Sequence, residues 1–447
     1  MYVKNQKFLI LGVSRSGLAA AKYLLGSGAV CYFYEEMSSE KITAAKQEIL
    51  SLGGLEITAN KIDETLDSID VLIISPGVPI NHSVAVRAKA KGVRIMGELE
   101  LGFISFTPPF IAITGTNGKT TTVSIIDAIF KEAGNKSKLV GNVGVPITSE
   151  IAGADKNTVF IAEVSSFQLE SVSAFCPHIS CILNISPDHL ERHYTMENYI
   201  FLKKRIFANQ RESEYCVLNF DDETVKGFYP DIKAKRIWVS TEEEVDGAYK
   251  KDGALYYKGE RILNANELPI LGKHNEYNAL FAIAVARIMG ISADIIARAI
   301  KGFKGVPFRN QIVAEKGGVK FVNDSKSTNT ASAITAINAC REPVVLILGG
   351  SEKGESYDKL FEVIKNSTVK HVVLTGSSRR NMLLSADKAG YYNITMCPDF
   401  DCSVKVAALM ADSGDKVLLS PACASFDAFS SYVERGERFN QITGELN

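Results

Sequence analysis

Short apolar runs alternate along the chain with segments in which apolar residues recur at helical spacing. Runs such as Val71–Ile74 and Phe110–Thr114 have the length and residue types of buried strands, and the segments between such runs predict amphipathic helices. The same alternation continues to the end of the chain, which is typical of α/β layers on largely parallel sheets. Further strands are predicted at Lys7–Gly12, Val30–Tyr34, Val159–Val164, Ile179–Asn184, Gln311–Glu315, Val319–Asn323, Val344–Leu348, His371–Thr375 and Lys416–Ser420.

Breaks in this pattern predict an α/β protein of three domains. Residues 1–97 have the strand–turn–helix order of a Rossmann-like unit. Residues 98–305 form a central domain of the P-loop type, with a hairpin around Ala248–Ile262 and helices near Glu276–Met289 and Ala293–Ile300. Residues 306–447 repeat the strand–helix alternation and predict a second Rossmann-like domain.

Composition narrows the class of partner. Lysine and arginine (50) nearly balance aspartate and glutamate (51) among the 447 residues, so the charge makes no case for nucleic acid or a membrane surface. Eight cysteines are scattered without a C-x-x-C pair, which disfavours both a zinc site and a disulfide framework. No signal-peptide pattern or membrane-length apolar run occurs. We expect a cytoplasmic monomer with small-molecule substrates.

A glycine-rich loop follows the strand Phe110–Thr114 and precedes a predicted helix. In that position backbone N–H groups and the positive end of the helix can surround phosphate oxygens, while the lysine reaches the terminal phosphates and a threonine ligates Mg²⁺. The alternative is a glycine turn with an incidental lysine, which the strand and helix on either side disfavour. The candidate nucleotide-binding residues are Gly115, Thr116, Asn117, Gly118, Lys119, Thr120 and Thr121.

Two later segments also follow predicted strands and carry metal-binding residue types. Glu163 stands at the carboxyl edge of one strand, where a carboxylate is well placed to hold Mg²⁺ near a phosphate loop. His189 follows the next strand within Asn184–His193. Taken alone, each residue would more often be a surface, capping or structural residue, so their interpretation depends on their neighbours.

These segments together resemble the Mur ligase family. Ile113–Thr121 is similar to the ATP loop that Mur ligases share with folylpolyglutamate synthases, and Glu163–Glu170 and Asn184–His193 are similar to Mur ligase motifs. The resemblance implies a carbamate, derived from CO₂, on Lys203 of Lys203-Lys204-Arg205-Ile206, with Lys204 as the alternative. It also implies two Mg²⁺ ions, one held by Thr120, Glu163 and ATP and one by His189 and the carbamate.

The resemblance assigns the remaining site residues by matching segments. Asn323–Asn329 and Ser420–Asp427 are similar to the branch of the family that adds D-glutamate. Lys119, Glu163, His189, Lys203 and Arg309 are the implied catalytic residues. Outside the loop, the implied ATP-binding residues are Asn275, Asn278, Arg309 and Asp324. The implied contacts of the UDP-linked substrate are Arg15, Ser16, Glu35, Ser75, Gly77, Asn142 and His189. The implied D-glutamate pocket consists of Lys326, Thr328, Lys353, Ser425 and Tyr432.

The activity that the resemblance implies is ATP-dependent addition of D-glutamate to UDP-N-acetylmuramoyl-L-alanine through an acyl phosphate, in peptidoglycan synthesis. The alternatives within this class are a Mur ligase for another amino acid and a folylpolyglutamate synthase. The chain lacks the Asp-Asn-Pro-Arg segment expected of a ligase that adds diaminopimelate or lysine. A nucleotide-dependent switch or a nicotinamide-binding protein is disfavoured, because neither an Asn-Lys-x-Asp signal nor an intact G-x-G-x-x-G is present.

Overall fold

The computed structural model describes residues 3–106, 109–270, 272–352 and 356–446. The chain divides into two compact units, Met1–Pro269 with Lys273–Phe303 and Ile270–Gly272 with Lys304–Asn447. The first unit holds two sheets and the second unit holds one, so the α/β architecture with three sheets is confirmed. No helix among the described residues is both long enough and apolar enough to cross a membrane.

The N-terminal sheet is parallel, with strand order β3-β2-β1-β4-β5. The chain reverses its winding direction between β1 and β4, so the loops that follow these two strands border one crevice, as in Rossmann-like sheets. The strands are β1 (Lys7–Leu11), β2 (Val30–Tyr34), β3 (Leu55–Glu56), β4 (Val71–Ile74) and β5 (Arg94–Gly97). The helices are α1 (Arg15–Gly26), α2 (Glu40–Ser51), α3 (Ile62–Leu66), α4 (Ser83–Ala90) and α5 (Glu98–Ser105).

The middle sheet has the order β14-β13-β12-β11-β10-β9-β6-β8-β7. Its strands are β6 (Phe110–Thr114), β7 (Ser137–Gly141), β8 (Val159–Glu163), β9 (Ile179–Ile182), β10 (Tyr215–Asn219), β11 (Lys235–Ser240), β12 (Gly247–Lys251), β13 (Ala254–Tyr257) and β14 (Glu260–Asn264). Its helices are α6 (Lys119–Glu132), α7 (Ile147–Glu150), α8 (Ser166–Leu169), α9 (Leu190–His193), α10 (Met196–Lys204), α11 (Glu223–Lys226), α12 (Lys273–Ile288) and α13 (Ala293–Lys301). The predicted hairpin is instead a three-stranded antiparallel ribbon, β12–β14, that extends this sheet through the pairing of β12 with β11.

Aromatic packing holds the middle sheet against the helix that precedes it. The ring of Phe103, on α5, lies edge-on to those of Phe110 and Phe175, at centroid distances of 5.4 and 5.2 Å. Phe110 also contacts Phe160 edge-on at 5.2 Å. Each such ring buries a large apolar area, and edge-to-face pairs add about 0.5–1.5 kcal/mol beyond that burial. The strand that precedes the phosphate loop is therefore anchored in a rigid core.

The C-terminal sheet has the order β15-β16-β20-β17-β18-β19 and is parallel except for β15, which pairs antiparallel with β16. Its strands are β15 (Gln311–Lys316), β16 (Val319–Asn323), β17 (Val344–Gly349), β18 (Val369–Thr375), β19 (Ile394–Met396) and β20 (Lys416–Leu419). Its helices are α14 (Thr330–Asn338), α15 (Asp358–Lys365), α16 (Arg379–Ala389), α17 (Phe400–Leu409) and α18 (Tyr432–Glu445). Side-chain caps fix where several begin: Asn329 caps α14, Asp399 caps α17 and Ser431 caps α18.

Candidate active site

The phosphate loop connects β6 to α6, as the sequence predicts. Gly118 takes a left-handed φ of 87°, and a Cβ there would lie 2.4 Å from Oδ1 of Asn278, so only glycine fits. The Lys119 ammonium donates to the carbonyl oxygens of Gly115 and Thr116 at 2.7 and 2.8 Å. The Lys119 ammonium thus lies against the loop that is predicted to bind phosphate oxygens.

Side chains that follow β9 or lie on α10 contact the phosphate loop. Asn184, which follows β9, accepts from the N–H of Asn117 at 2.9 Å and donates to its carbonyl at 3.1 Å. The Thr116 hydroxyl lies 3.1 Å from that of Tyr199, and burial raises the pKa of Tyr199 to about 12. Because these contacts fix the backbone, the remaining loop N–H groups can face a ligand without reorganisation.

Glu163 ends β8 and lies beside the loop with 2 % of its surface exposed. Its Oε2 accepts from the Thr120 hydroxyl at 2.8 Å, and its Oε1 accepts from the Asn142 amide at 2.8 Å. The structure therefore brings together three predicted site residues, of which Thr120 and Glu163 supply the hydroxyl and carboxylate oxygens that Mg²⁺ prefers.

The two neighbouring lysines of α10 lie in different environments. Lys203 is 2 % exposed, and its ammonium donates to the Gly115 carbonyl at 2.9 Å. Burial, with the charge of Lys119, holds the pKa of Lys203 well below its usual value, although Asp188 and Glu163 oppose this. Lys204 instead pairs with Asp231. Of the two, Lys203 is the one at the phosphate loop.

His189 begins α9 in the left-handed region, with φ 54°. Its ring lies 3.6 Å from Asp188 and 3.5 Å from Glu191, and its side chain is 44 % exposed. In the residues that the structure describes, no three His, Cys, Asp or Glu side chains cluster as a metal site would require. The set Thr120, Glu163, His189 and Lys203 is not itself such a cluster, since it contains one carboxylate and one imidazole.

A buried polar group beside His189 was not predicted from the sequence. His193 is 1 % exposed; its Nε2 lies 2.9 Å from the Ser166 hydroxyl, and its Nδ1 has no hydrogen-bond partner in the described part of the chain. Glu170 lies 3.6 Å from that Nδ1 and receives two hydrogen bonds from Arg192. In the sequence, His193 is only the second histidine of the Asn184–His193 segment. Its burial becomes visible in the fold alone.

The predicted adenine-side residues lie on the first turns of α12. Asn278 is buried, accepts from the Thr122 hydroxyl at 3.2 Å and donates to Oδ1 of Asn275 at 3.0 Å. Asn278 therefore ties α12 to α6 directly behind the phosphate loop. Both asparagines lie at the loop, as nucleotide contacts require.

Five of the predicted UDP-side residues border the crevice of the N-terminal sheet, while Asn142 and His189 belong to the middle sheet. The Ser75 hydroxyl, after β4, donates to the Gly12 carbonyl after β1 at 2.6 Å. Glu35, after β2, accepts from the N–H of Val13 at 2.9 Å. Arg15 and Ser16 begin α1 at the same edge, and Gly77 is exposed in the loop after β4.

Arg192, also missed from the sequence, connects the N-terminal and middle sheets. Its guanidinium donates to the carbonyls of Pro76 and Val78, at 3.4 and 3.0 Å, while it pairs with Glu170. It thus fixes the loop that contains Ser75 and Gly77. Arginine suits this task because its planar fork serves several acceptors at once.

In the second unit, Asp324 organises the loop after β16. It is 3 % exposed and accepts from the Ser420 hydroxyl at 2.8 Å and from the N–H of Asn310 at 3.1 Å. Burial raises the pKa of Asp324, and the charge of Arg309 opposes the rise. Arg309 stands between Phe308 and Asn310, both at positive φ, and its Nε is buried without a partner among the described residues. Positive φ values on both sides of a buried Nε without a partner are typical of a functional position.

Most of the predicted amino-acid pocket surrounds the end of the same sheet. The Lys326 ammonium lies 5.8 Å from the centre of the Tyr432 ring. Ser425 is 2 % exposed in the loop after β20, and Thr328 is half-buried in the loop after β16. Lys353 lies outside the described residues.

Arg435 joins the two loops of that pocket and was missed from the sequence. It is 2 % exposed and donates to the carbonyls of Ser325 at 2.8 Å and of Cys423 and Ala424 at 3.1 and 3.3 Å. Burial lowers the pKa of Arg435 to about 10. The Glu-Arg-Gly-Glu-Arg sequence around it looks like a solvated helix face, so only the fold reveals the buried arginine.

Comparison with known protein families gives one match for the part of the chain that forms each of the three sheets. Residues 6–97 match the family described as "Mur ligase MurD-like, N-terminal domain", residues 113–286 match "Mur ligase middle domain", and residues 308–423 match "Mur ligase, glutamate ligase domain". These matches, together with the full-length relatives below, show that the chain belongs to the Mur ligase family.

Two full-length relatives are named UDP-N-acetylmuramoylalanine--D-glutamate ligase. The protein from Thermoanaerobacter sp. (strain X514) is 41 % identical, and the protein from Clostridioides difficile (strain 630) is 38 % identical; each alignment covers 100 % of both chains. Among solved structures, UDP-N-acetylmuramate-alanine ligase MurC from Thermotoga maritima aligns with a TM-score of 0.61 at 18 % identity, over 98 % of this chain and 99 % of that one. MurF ligase from the same organism, in complex with ADP, aligns with a TM-score of 0.60 at 16 % identity, over 99 % and 96 %. These structures share the fold.

Proposed function

We propose that this chain joins D-glutamate to UDP-N-acetylmuramoyl-L-alanine with hydrolysis of ATP, as a step of peptidoglycan precursor synthesis. The observation that carries the proposal is identity of 36–41 % along nearly the whole chain to relatives named for that reaction. The proposal is supported by the phosphate loop with Glu163 and Asn184 at its border, which suits a nucleotide, and by the loops around Asp324 and Arg435, which suit an amino acid.

The decisive assay is phosphate release from ATP in the presence of UDP-N-acetylmuramoyl-L-alanine, with D-glutamate, L-glutamate, diaminopimelate and L-lysine tested separately. We expect release with D-glutamate alone, together with a product heavier by one glutamyl residue. Release with another amino acid would overturn the substrate but keep the ligase chemistry. Steady release that needs neither acceptor nor amino acid would indicate an ATPase or switch instead.

The donor set beside the phosphate loop fits magnesium. Glu163 is a buried carboxylate that forms no ion pair within the described ranges, and the Thr120 hydroxyl lies 2.8 Å from it. A buried carboxylate with a hydroxyl neighbour supplies the oxygen ligands that Mg²⁺ prefers. When bound with ATP, Mg²⁺ supplies charge neutralisation of phosphate oxygens. We assign Thr120 and Glu163 to one ion, and His189 with modified Lys203 to a second.

We assign the carbamate to Lys203. Carbamylation requires a neutral amine, and burial beside Lys119 lowers the pKa of Lys203, which favours its neutral form. Lys204, paired with Asp231, lacks that environment. The test is ¹³C NMR of the full chain under ¹³CO₂, where we expect a carbamate signal that disappears in Lys203→Met and persists in Lys204→Met. A signal that follows Lys204 would overturn the assignment.

The proposed reaction uses the chain's own groups mainly for positioning and charge stabilisation. The loop N–H groups and Lys119 hold the phosphates of ATP, and Asn275 and Asn278 hold its adenine side. Arg15, Ser16, Glu35, Ser75, Gly77, Asn142 and His189 hold the UDP-linked acceptor. The acceptor's alanyl carboxylate takes the γ-phosphoryl group of ATP, and ADP leaves. The amine of D-glutamate then attacks the acyl phosphate, and phosphate and a proton leave as the amide forms. Arg309 and Asp324 complete the ATP contacts.

The proposed amino-acid pocket uses Lys326 and Lys353 for the carboxylates of D-glutamate, with Thr328, Ser425 and Tyr432 around them. Arg435 acts as a positioning residue here, because it connects the loop that bears Lys326 to the loop that bears Ser425. We propose that the enzyme works as a monomer in the cytoplasm, where ATP is available, and without a nucleic-acid partner.

A further inference from the structure

A cavity lies in the C-terminal sheet, at the carboxyl ends of β17 and β18. Its volume is about 460 Å³, which is within the range of small-molecule sites. Gly349, Gly350 and Gly376 bring backbone close to it, and the loops before α17 and before α18 form its walls. Lys326, Thr328, Ser425 and Tyr432 of the proposed D-glutamate pocket do not line this cavity, whereas Arg435, which joins the loops of that pocket, does. The cavity therefore adjoins the proposed pocket but has a lining of its own.

An unpartnered hydroxyl faces the cavity. Thr375 lines it and is 4 % exposed, and its hydroxyl has no hydrogen-bond partner within the part of the chain that the structure describes. The hydroxyl therefore keeps its donor and its acceptor capacity for a ligand or for water in the cavity.

Charges of both signs line the same cavity. Arg379 gives one hydrogen bond, to the Gly376 carbonyl at 3.0 Å, and pairs with no carboxylate among the described residues. Asp427 accepts from the N–H of Ser377 at 3.0 Å, and Asp399 accepts from the N–H of Cys402 at 2.8 Å. Each carboxylate therefore has acceptor capacity left. Arg435 adds a second positive charge, although its donors are taken by backbone carbonyls.

An apolar surface completes the lining. The rings of Phe400 and Phe429 meet edge-to-face, with centroids 5.1 Å apart, and both line the cavity. The cavity thus offers one available guanidinium, two carboxylates and an aromatic wall. Two carboxylates would repel a phosphate dianion, whereas they attract an ammonium group. This balance favours a zwitterion over a nucleotide.

We propose that this cavity binds a free α-amino acid with a large apolar side chain. Arg379 and Thr375 receive its carboxylate, Asp399 and Asp427 receive its ammonium group, and Phe400 and Phe429 pack on its side chain. The inference does not depend on the proposed ligase activity, because it rests on the cavity alone. Its failure in the experiment below would leave the phosphate-release assay unaffected.

The experiment titrates the full chain with the L and D forms of phenylalanine and leucine by calorimetry. Two analogues of phenylalanine, 2-phenylethylamine and 3-phenylpropionate, each lack one of its charges. AMP tests the alternative that the cavity binds a nucleotide. We expect binding of an amino acid, with both analogues at least about tenfold weaker because each loses a charge-assisted contact. Absence of amino-acid binding at about 10 mM, equal binding of either analogue, or tighter binding of AMP would overturn the proposal.

Neighbouring arginines provide a matched pair of variants. Arg379→Gln removes the lining guanidinium, and Arg380→Gln removes an equal charge from the next residue, which is exposed and does not line the cavity. We expect affinity to fall at least about tenfold in the first and to stay within about twofold in the second. Equal affinities in these two variants would overturn the proposal.

Thr375→Val tests the hydroxyl separately, because valine keeps the shape of threonine. We expect about three- to tenfold weaker binding and a thermal midpoint no lower than that of the parent chain, since no internal hydrogen bond is lost. Unchanged affinity, or a lowered midpoint, would show that the hydroxyl serves the fold instead and would overturn its assignment to the ligand.

Discussion

The phosphate loop of the middle sheet and the paired loops of the C-terminal sheet are both built at the carboxyl ends of parallel strands, but different forces hold them. At the phosphate loop, Asn184 contacts both the N–H and the carbonyl of Asn117, Tyr199 contacts Thr116, and the amines of Lys119 and Lys203 donate to loop carbonyls. Buried charged side chains hold the C-terminal loops. Asp324 accepts hydrogen bonds from two segments, and Arg435 donates hydrogen bonds to two loops.

The difference distinguishes a group that is proposed to react from a group that shapes a site. At the phosphate loop the buried amine of Lys203 contacts a carbonyl but no ion-paired carboxylate within the described residues, so it keeps an environment that favours its neutral form. Arg435 has no such freedom, because its three nitrogens all donate to fixed oxygens. A buried charged group can bind or react with a ligand only if some of its donors or acceptors are not already used by the protein.

The largest effect on the ligase rate is expected for substitution of Lys203, the residue of this comparison that is proposed to react. Lys203→Met removes the amine at the loop while keeping its apolar stem, and we expect the ligase rate to fall at least about 1,000-fold, or about 4 kcal/mol. Lys204→Met removes only a surface pair with Asp231, and its rate should stay within about threefold. Phosphate release at saturating substrates measures both. Comparable losses in the two variants would contradict the placement.

Arg435 tests the shaping side of the comparison. Arg435→Met leaves carbonyls on two loops without donors, and we expect the second unit to lose about 3 kcal/mol of unfolding free energy. Arg438→Met, three residues along the same helix, removes a surface pair with Asp401 and should cost less than about 1 kcal/mol. Urea denaturation measures both values. In addition, the KM for D-glutamate should rise more than the KM for ATP, and an equal rise would argue for a purely structural role.

Gly118 tests how closely the phosphate loop depends on its backbone. Gly118→Ala places a Cβ 2.4 Å from Oδ1 of Asn278 at a positive φ, so we expect about 2 kcal/mol of destabilisation and weaker ATP binding. Gly26→Ala, where nothing lies within 4 Å of the added Cβ, should be neutral or slightly stabilising. Thermal midpoints and ATP titrations measure the pair. A Gly118→Ala protein with unchanged ATP affinity would mean that the loop adapts.

The smallest effect concerns His193. Burial lowers the pKa of His193 from its usual 6.5; Glu170 opposes this, and His189, Arg192 and Lys203 reinforce it. The neutral ring therefore contributes stability that is complete above about pH 6.5 and is lost as the pH falls through the folded-state pKa, at no more than about 1.4 kcal/mol per pH unit. His193→Gln should flatten that acid-side decline. Urea midpoints between pH 7 and 5 measure it, and an unchanged slope in the variant would contradict the burial argument.

Strand prediction succeeded at several apolar runs. β2, β4, β6 and β16 have the predicted bounds, and β8 and β20 end one residue early. The strands β3, β5, β7 and β19 were missed because they are short or partly exposed, so little apolar pattern distinguishes them. The strands β10 and β11 were also missed, although β10 is apolar and mostly buried. The ribbon β12–β14 was predicted as a hairpin, since its pairing with β11 is a long-range contact that no local pattern contains.

The sequence by itself determined the α/β class, the position of the phosphate loop and the family, because strand–loop–helix signals and motif residues are local in the chain. Only the tertiary structure decided which of Lys203 and Lys204 lies at the loop, that His193 and Arg435 are buried, and that Thr375 faces a cavity with Arg379. Burial, hydrogen-bond partners and pKa depend on atoms contributed by distant segments. Residues that look like solvated helix positions in the sequence therefore acquire their chemistry from the fold.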